Sequence, residues 1–424
     1  MTDMIDVAIV GGGAAGIAAA RRLASHGRMA LIIEALPRLG GRAHTVEVEG
    51  LPLDLGCGWL HSAKRNPLAR EAEARGRVLH HGKGAWRHRL PDALARLQDQ
   101  PSGWAAYRRL TERLRHDPPA SDRAGDALPP GDSWRPFAEA VSSFLNGVEL
   151  DQLSVSDFLA YEDAAGAANW RLASGYGAFI VELAATLPAA LSTRVLSVEQ
   201  QDGMVLETDR GPIKARAVIV TASSTVLAAG AIRFTPSIDD HLHAAAQLPL
   251  GLANKVFLSL RDPHAMPAEA HLLGHLDRAA TGSYYLRPLG RPLIECFLGG
   301  AEARALEAGG EAAAVAFVMA ELGGLFGSDF PPKVAPLAVT AWGHEATIGG
   351  SYSRALPGHA DARAVLARPV NARLCLAGEA CSLRDFSTAH GAWESGLAAA
   401  EWIEQGLASG PSGRLPVTSP GGPR

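Results

Sequence analysis

An α/β fold with a parallel sheet at its centre is predicted by three features near the start of the sequence. Residues Val7 to Val10 form an apolar run without alternation, which is typical of a strand covered on both faces. The run leads directly into Gly11-x-Gly13-x-x-Gly16. A second apolar run, after the predicted helix, ends at an acidic residue, Glu34. This order of strand, glycine turn, helix, strand and acid predicts a Rossmann-type domain that binds a dinucleotide.

Each glycine of the turn has a separate physical role. Gly11 permits the tight turn, Gly13 lets the backbone approach a pyrophosphate, and Gly16 lets the following helix pack closely on the strand. The helix is predicted from Ala14 to His26, so the N–H groups of Ala14 and Ala15 lie at its positive end. A pyrophosphate can therefore be bound here without a lysine.

The acidic residue and the segment after it specify the nucleotide. The carboxylate of Glu34, with Ala35 beside it, can accept both hydroxyls of a ribose and would repel a 2′-phosphate. Residues 34–42 resemble the second nucleotide motif of the glutathione-reductase-like FAD oxidoreductases. In that motif a Gly-Gly-Arg turn, here ending in Gly41 and Arg42, brings an arginine to the pyrophosphate. The sequence has no second Gly-x-Gly-x-x-Gly after a later strand, so we expect FAD without a separate NAD(P)H-binding domain.

Length and composition restrict the number of domains, the binding partners and the location that we expect. A chain of 424 residues is too long for one simple core, which favours two domains. Lys and Arg number 40 against 44 Asp and Glu, so the net charge of −4 predicts no binding to nucleic acid or to a membrane surface. The first strand begins by residue 5 and no apolar run reaches about 18 residues, so we expect a cytoplasmic protein without a signal peptide or membrane span. Four widely spaced cysteines predict neither a disulfide framework nor a metal site.

The two predicted domains are interleaved along the chain. A β-meander over 194–221, a strand over 374–377 and a helix over 388–405 belong to the FAD-binding domain. The Gly-, Pro- and Ser-rich residues 408–424 are predicted to be disordered. The predicted segments are 1–65, 190–240 and 350–407 for the FAD-binding domain, and 66–189 and 241–349 for an α+β substrate-binding domain.

Four later segments carry further motifs, spread over most of the chain. They are Asp54 to His61, Leu250 to Val256, Trp342 with Gly349 to Ser353, and Ala377 to Glu379 with Ser387 to Gly396. Together with the two nucleotide motifs they resemble the flavin-containing amine oxidase family, which includes monoamine oxidases, polyamine oxidases and the catalytic domain of lysine-specific histone demethylases. The resemblance implies an FAD-binding domain of the glutathione-reductase-like kind and oxidation of an amine.

The resemblance also implies which residues contact FAD. The loop Gly56-Cys57-Gly58-Trp59 would lie against the isoalloxazine ring. Glu379, after Gly378, would contact the ribityl or pyrophosphate region. Thr388 and Ala389 would open the last helix with its positive end toward the flavin, and the backbone of Val195 would pair with adenine.

Lys255 lies in a predicted alternating strand, Leu252 to Leu260. By pattern alone it would be a solvated lysine at a sheet edge. The resemblance instead implies the lysine that holds a water near flavin N5. A buried ammonium there would also stabilise the negative charge that develops as dioxygen is reduced.

Five more positions complete the implied site. Ser351 stands where monoamine oxidases have the cysteine that carries FAD covalently, so FAD should be non-covalent here. Tyr352 would form one wall of the aromatic sandwich that guides the amine, whereas the second wall falls at Ala392 and is missing. His61 lies where polyamine oxidases place a His or Glu near the mouth of the site, and Trp342 would pack against the ring or line the tunnel. A structural role in the core is the alternative for Tyr352, His61 and Trp342.

The implied reaction is hydride transfer from the α-carbon of a neutral amine to flavin N5. The imine then hydrolyses to a carbonyl compound, and dioxygen reoxidises the flavin with formation of hydrogen peroxide. One alternative is a flavoenzyme of the same fold with another substrate, such as an L-amino-acid oxidase or a carotenoid- or protoporphyrinogen-type enzyme. Another is a flavin-binding protein without catalysis. The pattern does not distinguish monoamines, polyamines and amino acids, nor does it specify the oligomeric state.

Overall fold

The computed structural model describes residues 4–82, 94 and 98–409. In chain order, its strands β1 to β19 are Ile5–Val10, Ala30–Ile33, Thr45–Val48, Leu51–Asp54, Leu79–His80, Arg171–Leu172, Ala189–Ala190, Val195–Gln200, Met204–Thr208, Ile213–Val220, Arg233–Thr235, Leu250–Gly251, Ala253–Leu260, Ala270–Leu273, Ser283–Leu286, Leu293–Gly299, Val334–Val339, Tyr352–Ser353 and Leu374–Leu376. Its helices α1 to α12 are Ala14–Ser25, Pro67–Ala74, Gln100–His116, Arg135–Asn146, Val155–Ala164, Tyr176–Glu182, Ser224–Ala228, Asp239–Ala246, Gly300–Gly309, Glu311–Phe326, Ala362–Ala367 and Ala389–Ala408.

The described residues form an eight-stranded sheet around the predicted parallel core. β1 pairs in parallel with β2 on one side and β10 on the other, and β19 pairs with the last part of β10. β8, β9 and the first part of β10 are antiparallel, which confirms the predicted β-meander. Because parallel strands end at the same edge, the residues that follow them, Gly11, Glu34 and Gly378, meet there.

The first helix packs very closely on the glycine turn. A Cβ atom at Gly16 would lie 2.0 Å from the carbonyl oxygen of Gly11, so only glycine fits. α1 buries its alanine, isoleucine and leucine side chains in one core cluster with β1 and α12. It begins at Ala14, as predicted, and ends at Ser25, with His26 at its C-cap.

A second sheet, formed by five antiparallel strands of the described chain, has the order β14-β15-β16-β13-β17. β13 carries Lys255 and lies inside this sheet, paired with β16 and β17. Most of its side chains are buried on both faces. Lys255 is therefore not the solvated edge lysine that the alternation alone would favour, because the strand has neighbours on both sides.

The end of the chain also follows the prediction closely. The last strand covers Leu374–Leu376, and Thr388 caps the last helix by accepting a hydrogen bond from the Gly391 N–H at 3.0 Å. The predicted disordered tail starts too early, because Ala408 still belongs to α12; residues 410–424 lie outside the described part. The domain boundaries stay a prediction. No helix of the described ranges is long and apolar enough to cross a bilayer, and no group of His, Cys, Asp or Glu within them could hold a metal ion.

Candidate functional site

A cavity of about 580 Å³ is lined by residues from both large sheets. Every residue that the sequence predicts at FAD or at the amine lines this cavity, except Gly16, which acts through the packing of α1 on the glycine turn. The predicted lining residues are Gly11, Gly13, Ala14, Ala15, Glu34, Ala35, Gly41, Arg42, Gly56, Cys57, Gly58, Trp59, His61, Val195, Lys255, Trp342, Tyr352, Gly378, Glu379, Thr388 and Ala389. The cofactor residues and the amine residues thus share one space.

Glu34 is buried at the end of β2, and its carboxylate is tied to the backbone. Its Oε2 accepts a hydrogen bond from the Gly12 N–H at 2.6 Å, and its Oε1 accepts one from the Leu36 N–H at 2.8 Å. Burial raises the pKa of Glu34, although both hydrogen bonds oppose the rise. Each carboxylate oxygen has a second lone pair, so Glu34 can still accept a ribose hydroxyl.

The glycine turn leaves space for an anion at the start of α1. A Cβ at Gly13 would meet only the carbonyl oxygen of Gly40, at 3.9 Å, and no side chain caps the helix. Across the cavity, Gly378 has a φ of +141° and open space where a Cβ would stand. The unpaired N–H groups at the positive end of α1 can bind a pyrophosphate here.

Arg42 and Glu379 form an ion pair in the cavity wall, at 2.9 Å. Arg42 also donates to the carbonyl oxygen of Ser351 at 2.7 Å, and Glu379 accepts from the Ser353 hydroxyl at 2.6 Å. Burial alone would raise the pKa of Glu379, but Arg42 and the Ser353 hydroxyl outweigh it, and the pKa is lowered. Both bonds of Arg42 involve Nη1, which leaves the Nη2 side of its guanidinium available to an anion.

Side chains of the second sheet and of residues near that sheet hold the loop 54–59 in place through hydrogen bonds. Lys255 Nζ donates to the carbonyl oxygens of Asp54 and Gly56, at 2.7 and 2.8 Å. Trp342 Nε1 donates to the carbonyl oxygen between them, that of Leu55, at 3.1 Å. A Cβ at Gly56 would lie 1.7 Å from the carbonyl oxygen of Arg42. Two residues predicted to be catalytic therefore hold three consecutive carbonyl groups at the start of the loop 54–59.

The Lys255 ammonium also forms an ion pair with a buried carboxylate. Nζ lies 2.9 Å from Glu295 Oε1, and Glu295 Oε2 lies 3.0 Å from Arg171 Nη1. Two of the three donors of the ammonium are hydrogen-bonded to loop carbonyl oxygens, and the contact with Glu295 is an ion pair. The water-holding role that the resemblance implies for Lys255 stays a prediction; in this structure its ammonium also binds the loop 54–59.

Tyr352 lines the cavity with its hydroxyl donated to the carbonyl oxygen of Phe144. Burial raises the pKa of Tyr352, so the phenol stays protonated. Ser351 donates to the Ala253 carbonyl oxygen at 2.7 Å and accepts from the Ala253 N–H at 2.9 Å. Ala392 also lines the cavity and provides no second aromatic wall.

His61 lines the cavity as a neutral imidazole. Burial lowers its pKa to about 4, a hydrogen bond with Asn169 opposes this, and His390 lowers it further. The His61 Nδ1 lies 2.9 Å from Asn169 Oδ1, which assigns the ring proton to Nδ1.

Several residues of the site are absent from the sequence prediction. The ends of α4 and α5 line the cavity, but an amphipathic helix pattern does not tell which residues face a ligand. Glu295 interrupts the apolar strand Leu293–Gly299, and a carboxylate in a buried strand indicates a charged partner. The sequence around Arg171 contains no comparable pattern that would indicate a buried charge. The unpredicted aromatic, apolar and polar residues near these elements are Phe144, Leu145, Asn146, Phe158, Tyr161, Glu162, Phe297 and Phe386.

Comparisons with known proteins identify the family of this chain. A family model described as flavin containing amine oxidoreductase matches residues 85–403, and one described as NAD(P)-binding Rossmann-like domain matches residues 9–72. The chain is similar to polyamine oxidase 4 of Oryza sativa subsp. japonica, with 27% identity over 438 residues, 93% of this chain and 88% of that protein. It is similar to polyamine oxidase 2 of Arabidopsis thaliana, with 27% identity over 433 residues, 93% of this chain and 87% of that protein.

A larger relative matches over part of its length. Lysine-specific histone demethylase 1 homolog 2 of Oryza sativa subsp. japonica is 28% identical over 438 residues, which are 94% of this chain and 56% of that protein. The family model covers most of the chain, and the nucleotide motifs at its start line the same cavity as Lys255 and Tyr352. The chain therefore belongs to the flavin-containing amine oxidoreductase family, and it is a flavin-dependent oxidoreductase that acts on amines.

Proposed function

We propose that this protein oxidises a carbon–nitrogen bond of a small-molecule amine with FAD held non-covalently in the cavity. The observation that carries the proposal is that the nucleotide-binding residues share one cavity with Lys255 and Tyr352. The chemistry supplied by bound FAD is acceptance at N5 of a hydride equivalent from the amine α-carbon, with the electrons passed on to dioxygen to give hydrogen peroxide. The imine product would hydrolyse to an aldehyde or ketone and release an amine or ammonia.

The residues present fit FAD. Glu34 would accept the ribose hydroxyls, the start of α1 and Arg42 would bind the pyrophosphate, and the backbone of Val195 would contact adenine. The open space at Gly13 and Gly378 supports this assignment, because no side chain fills it. Non-covalent binding is supported by Ser351, which has no thiol and whose hydroxyl is committed to Ala253.

The chain's own residues would bind and orient the amine and keep water away from it. Tyr352 is fixed by its bond to Phe144 and presents an aromatic surface to the cavity. Its apolar neighbours favour the neutral form of an amine, which is the form that can give up a hydride. His61 is neutral and adds no positive charge that would repel an approaching ammonium.

The lining favours an amine with one nitrogen and an apolar remainder. Among the described lining residues, the carboxylates are Glu34, Glu162 and Glu379. Glu34 and Glu379 are bound to the backbone and to Arg42, so the described lining offers few acidic groups to a second ammonium. Glu162 and Leu145 line the cavity and are exposed, so they mark its opening. Beyond them the wall is largely aromatic, and a second ammonium placed there would lose its hydration without a partner.

A matched pair of amines tests the proposal. Octylamine and 1,8-diaminooctane have the same length and differ only in the second nitrogen. We expect anaerobic octylamine to bleach the visible absorbance of the FAD-loaded protein, with at least about tenfold tighter apparent binding than the diamine, since 1.4 kcal/mol of desolvation gives that factor. Spermidine would be the poorest donor of the three.

The same measurement separates the alternatives. Bleaching by an L-amino acid but by none of the amines would assign an amino-acid oxidase instead. Tighter binding of the diamine would reverse the proposed preference for monoamines. A protein that binds FAD and is bleached by no donor in the panel would be a flavin-binding protein rather than an amine oxidase.

A further inference from the structure

We propose that Glu295 is a positioning residue that acts through Lys255 on the loop 54–59. This inference rests on the proposed function, because the loop lines the cavity assigned to FAD. Glu295 itself is absent from the lining of the cavity. Its effect on the bound molecule therefore has to pass through the residues that it holds.

The three charged side chains of the group are all buried. Glu295 is 0% exposed, Lys255 is 6% exposed and Arg171 is 7% exposed. The carboxylate lies between the two cations, 2.9 Å from Lys255 Nζ and 3.0 Å from Arg171 Nη1. A charge at such depth is stable only when it is paired, and this one carboxylate forms an ion pair with both cations.

The strand register explains why Glu295 reaches Lys255. On the paired strands β13 and β16, Lys255 lies opposite Phe297, and Glu295 lies opposite Phe257. Lys255 and Glu295 are thus diagonal neighbours on one face of the sheet, a separation that long side chains can span. The ring of Phe297 lies 4.9 Å from Nζ and covers another side of the ammonium. The ammonium therefore has little freedom to move away from the carbonyl oxygens of the loop.

The same carboxylate also holds the far end of the loop. The guanidinium of Arg171 lies 5.0 Å from the ring centroid of Trp59 and 5.6 Å from that of Tyr285. Glu295 thus connects to the start of the loop through Lys255 and to Trp59 through Arg171. The carboxylate of Asp54 also attracts Arg171, but Glu295 is the carboxylate that forms ion pairs with both cations.

The substitution Glu295→Gln removes the charge and keeps the size of the side chain. Two buried cations then face each other without the carboxylate between them, and we expect the loop to lose its shape. The dissociation constant of FAD, measured by flavin fluorescence on the folded apoprotein, should rise at least tenfold. Circular dichroism at the same temperature establishes that the variant is folded.

A second buried carboxylate of the same part of the chain provides the matched control. Glu321 is 6% exposed and accepts hydrogen bonds from Thr281, Gly282 and Tyr284, and it is absent from the lining of the cavity. Glu321→Gln should lower thermal stability and leave the FAD dissociation constant within twofold of the wild type. Equal losses of FAD affinity in both variants would show a general effect of buried charge and overturn the inference.

A double substitution tests the route through Lys255. In a Lys255→Met background the ammonium is gone, so Glu295→Gln should weaken FAD binding much less than it does in the wild type. Fully additive effects would overturn the proposed route. Should Glu295→Gln fail to fold, Glu295→Asp takes its place against Glu321→Asp, with the same expected contrast. A wild-type protein that binds no FAD would instead contradict the proposed function.

Discussion

At the scale of single residues, several charged side chains in and behind the cavity wall are bound to side chains of opposite charge. Arg42 faces Glu379, and Lys255 shares Glu295 with Arg171. Removing one member of such a pair leaves the other charged and unsolvated, which costs about 3–5 kcal/mol. Each pair also holds backbone of the wall, so its geometry contributes to the shape of the cavity as well as to stability.

His61 should not titrate in the pH range in which the protein works. Because burial lowers its pKa to about 4, it is protonated only below that pH and is neutral from about pH 5 to pH 9. His61→Gln keeps a neutral hydrogen-bonding side chain. It should change kcat/KM for the amine by less than about fivefold, or 1 kcal/mol, and leave the shape of its pH profile unchanged. An acid limb near pH 6 that disappears in this variant would contradict the expectation.

At the scale of elements, the loop 54–59 and helix α1 are both positioned by close backbone contacts. The loop is held by donors from Lys255 and Trp342, and α1 is held against the glycine turn. The close contact between Gly16 and the glycine turn leaves no room for a methyl group. The same chemical substitution should therefore have opposite effects at a close contact and on an open helix face.

Gly16→Ala should destabilise the protein and weaken FAD binding. The added Cβ would stand 2.0 Å from the Gly11 carbonyl oxygen, so α1 must move, at a cost of about 1–3 kcal/mol. Gly324→Ala is the control, because Gly324 lies exposed in α10 with nothing within 4 Å. Alanine at this position should raise the free energy of unfolding by about 0.5–1 kcal/mol. Chemical denaturation of both variants measures the difference, and a Gly16→Ala protein as stable as the wild type would contradict the assigned contact.

At the scale of the whole molecule, the cavity joins the two large sheets. The parallel sheet contributes the residues after β1 and β2, and the antiparallel sheet contributes Lys255 on β13. A ligand in the cavity therefore contacts both sheets at once. The free energy of ligand binding should therefore stabilise both sheets together against unfolding.

FAD should raise the melting temperature by several degrees. Free FAD at 1,000 times its dissociation constant adds about 4 kcal/mol to the free energy of unfolding. For a chain of about 150–250 residues, each kcal/mol of added stability raises the melting temperature by about 2–4 °C. Because this chain is longer, each kcal/mol raises its melting temperature by less. Differential scanning calorimetry of apoprotein with and without FAD measures the shift. ADP, which offers only the nucleotide half, should give a smaller one; equal shifts for both would count against contacts to the flavin ring.

Much of the fold follows from local sequence signals. The apolar run before Gly11, the helix from Ala14 and the β-meander depend on turn residues and periodicity, and these act within a few residues. The positions of the glycine turn and of Glu34 at the end of β2 were predictable for the same reason. Lys255 needed the family resemblance, because alternation alone predicts a solvated side chain there.

What the sequence determined by itself is the nucleotide-binding strand, turn and helix, and the kind of residue at each later motif. Only the tertiary structure decided the partners: Glu295 for Lys255, Glu379 for Arg42, and residues of α4 and α5 for the cavity wall. The physical reason is that a glycine turn or an apolar strand is specified by neighbours in the chain. A buried charge is specified by whichever distant side chain the folded sheets place beside it.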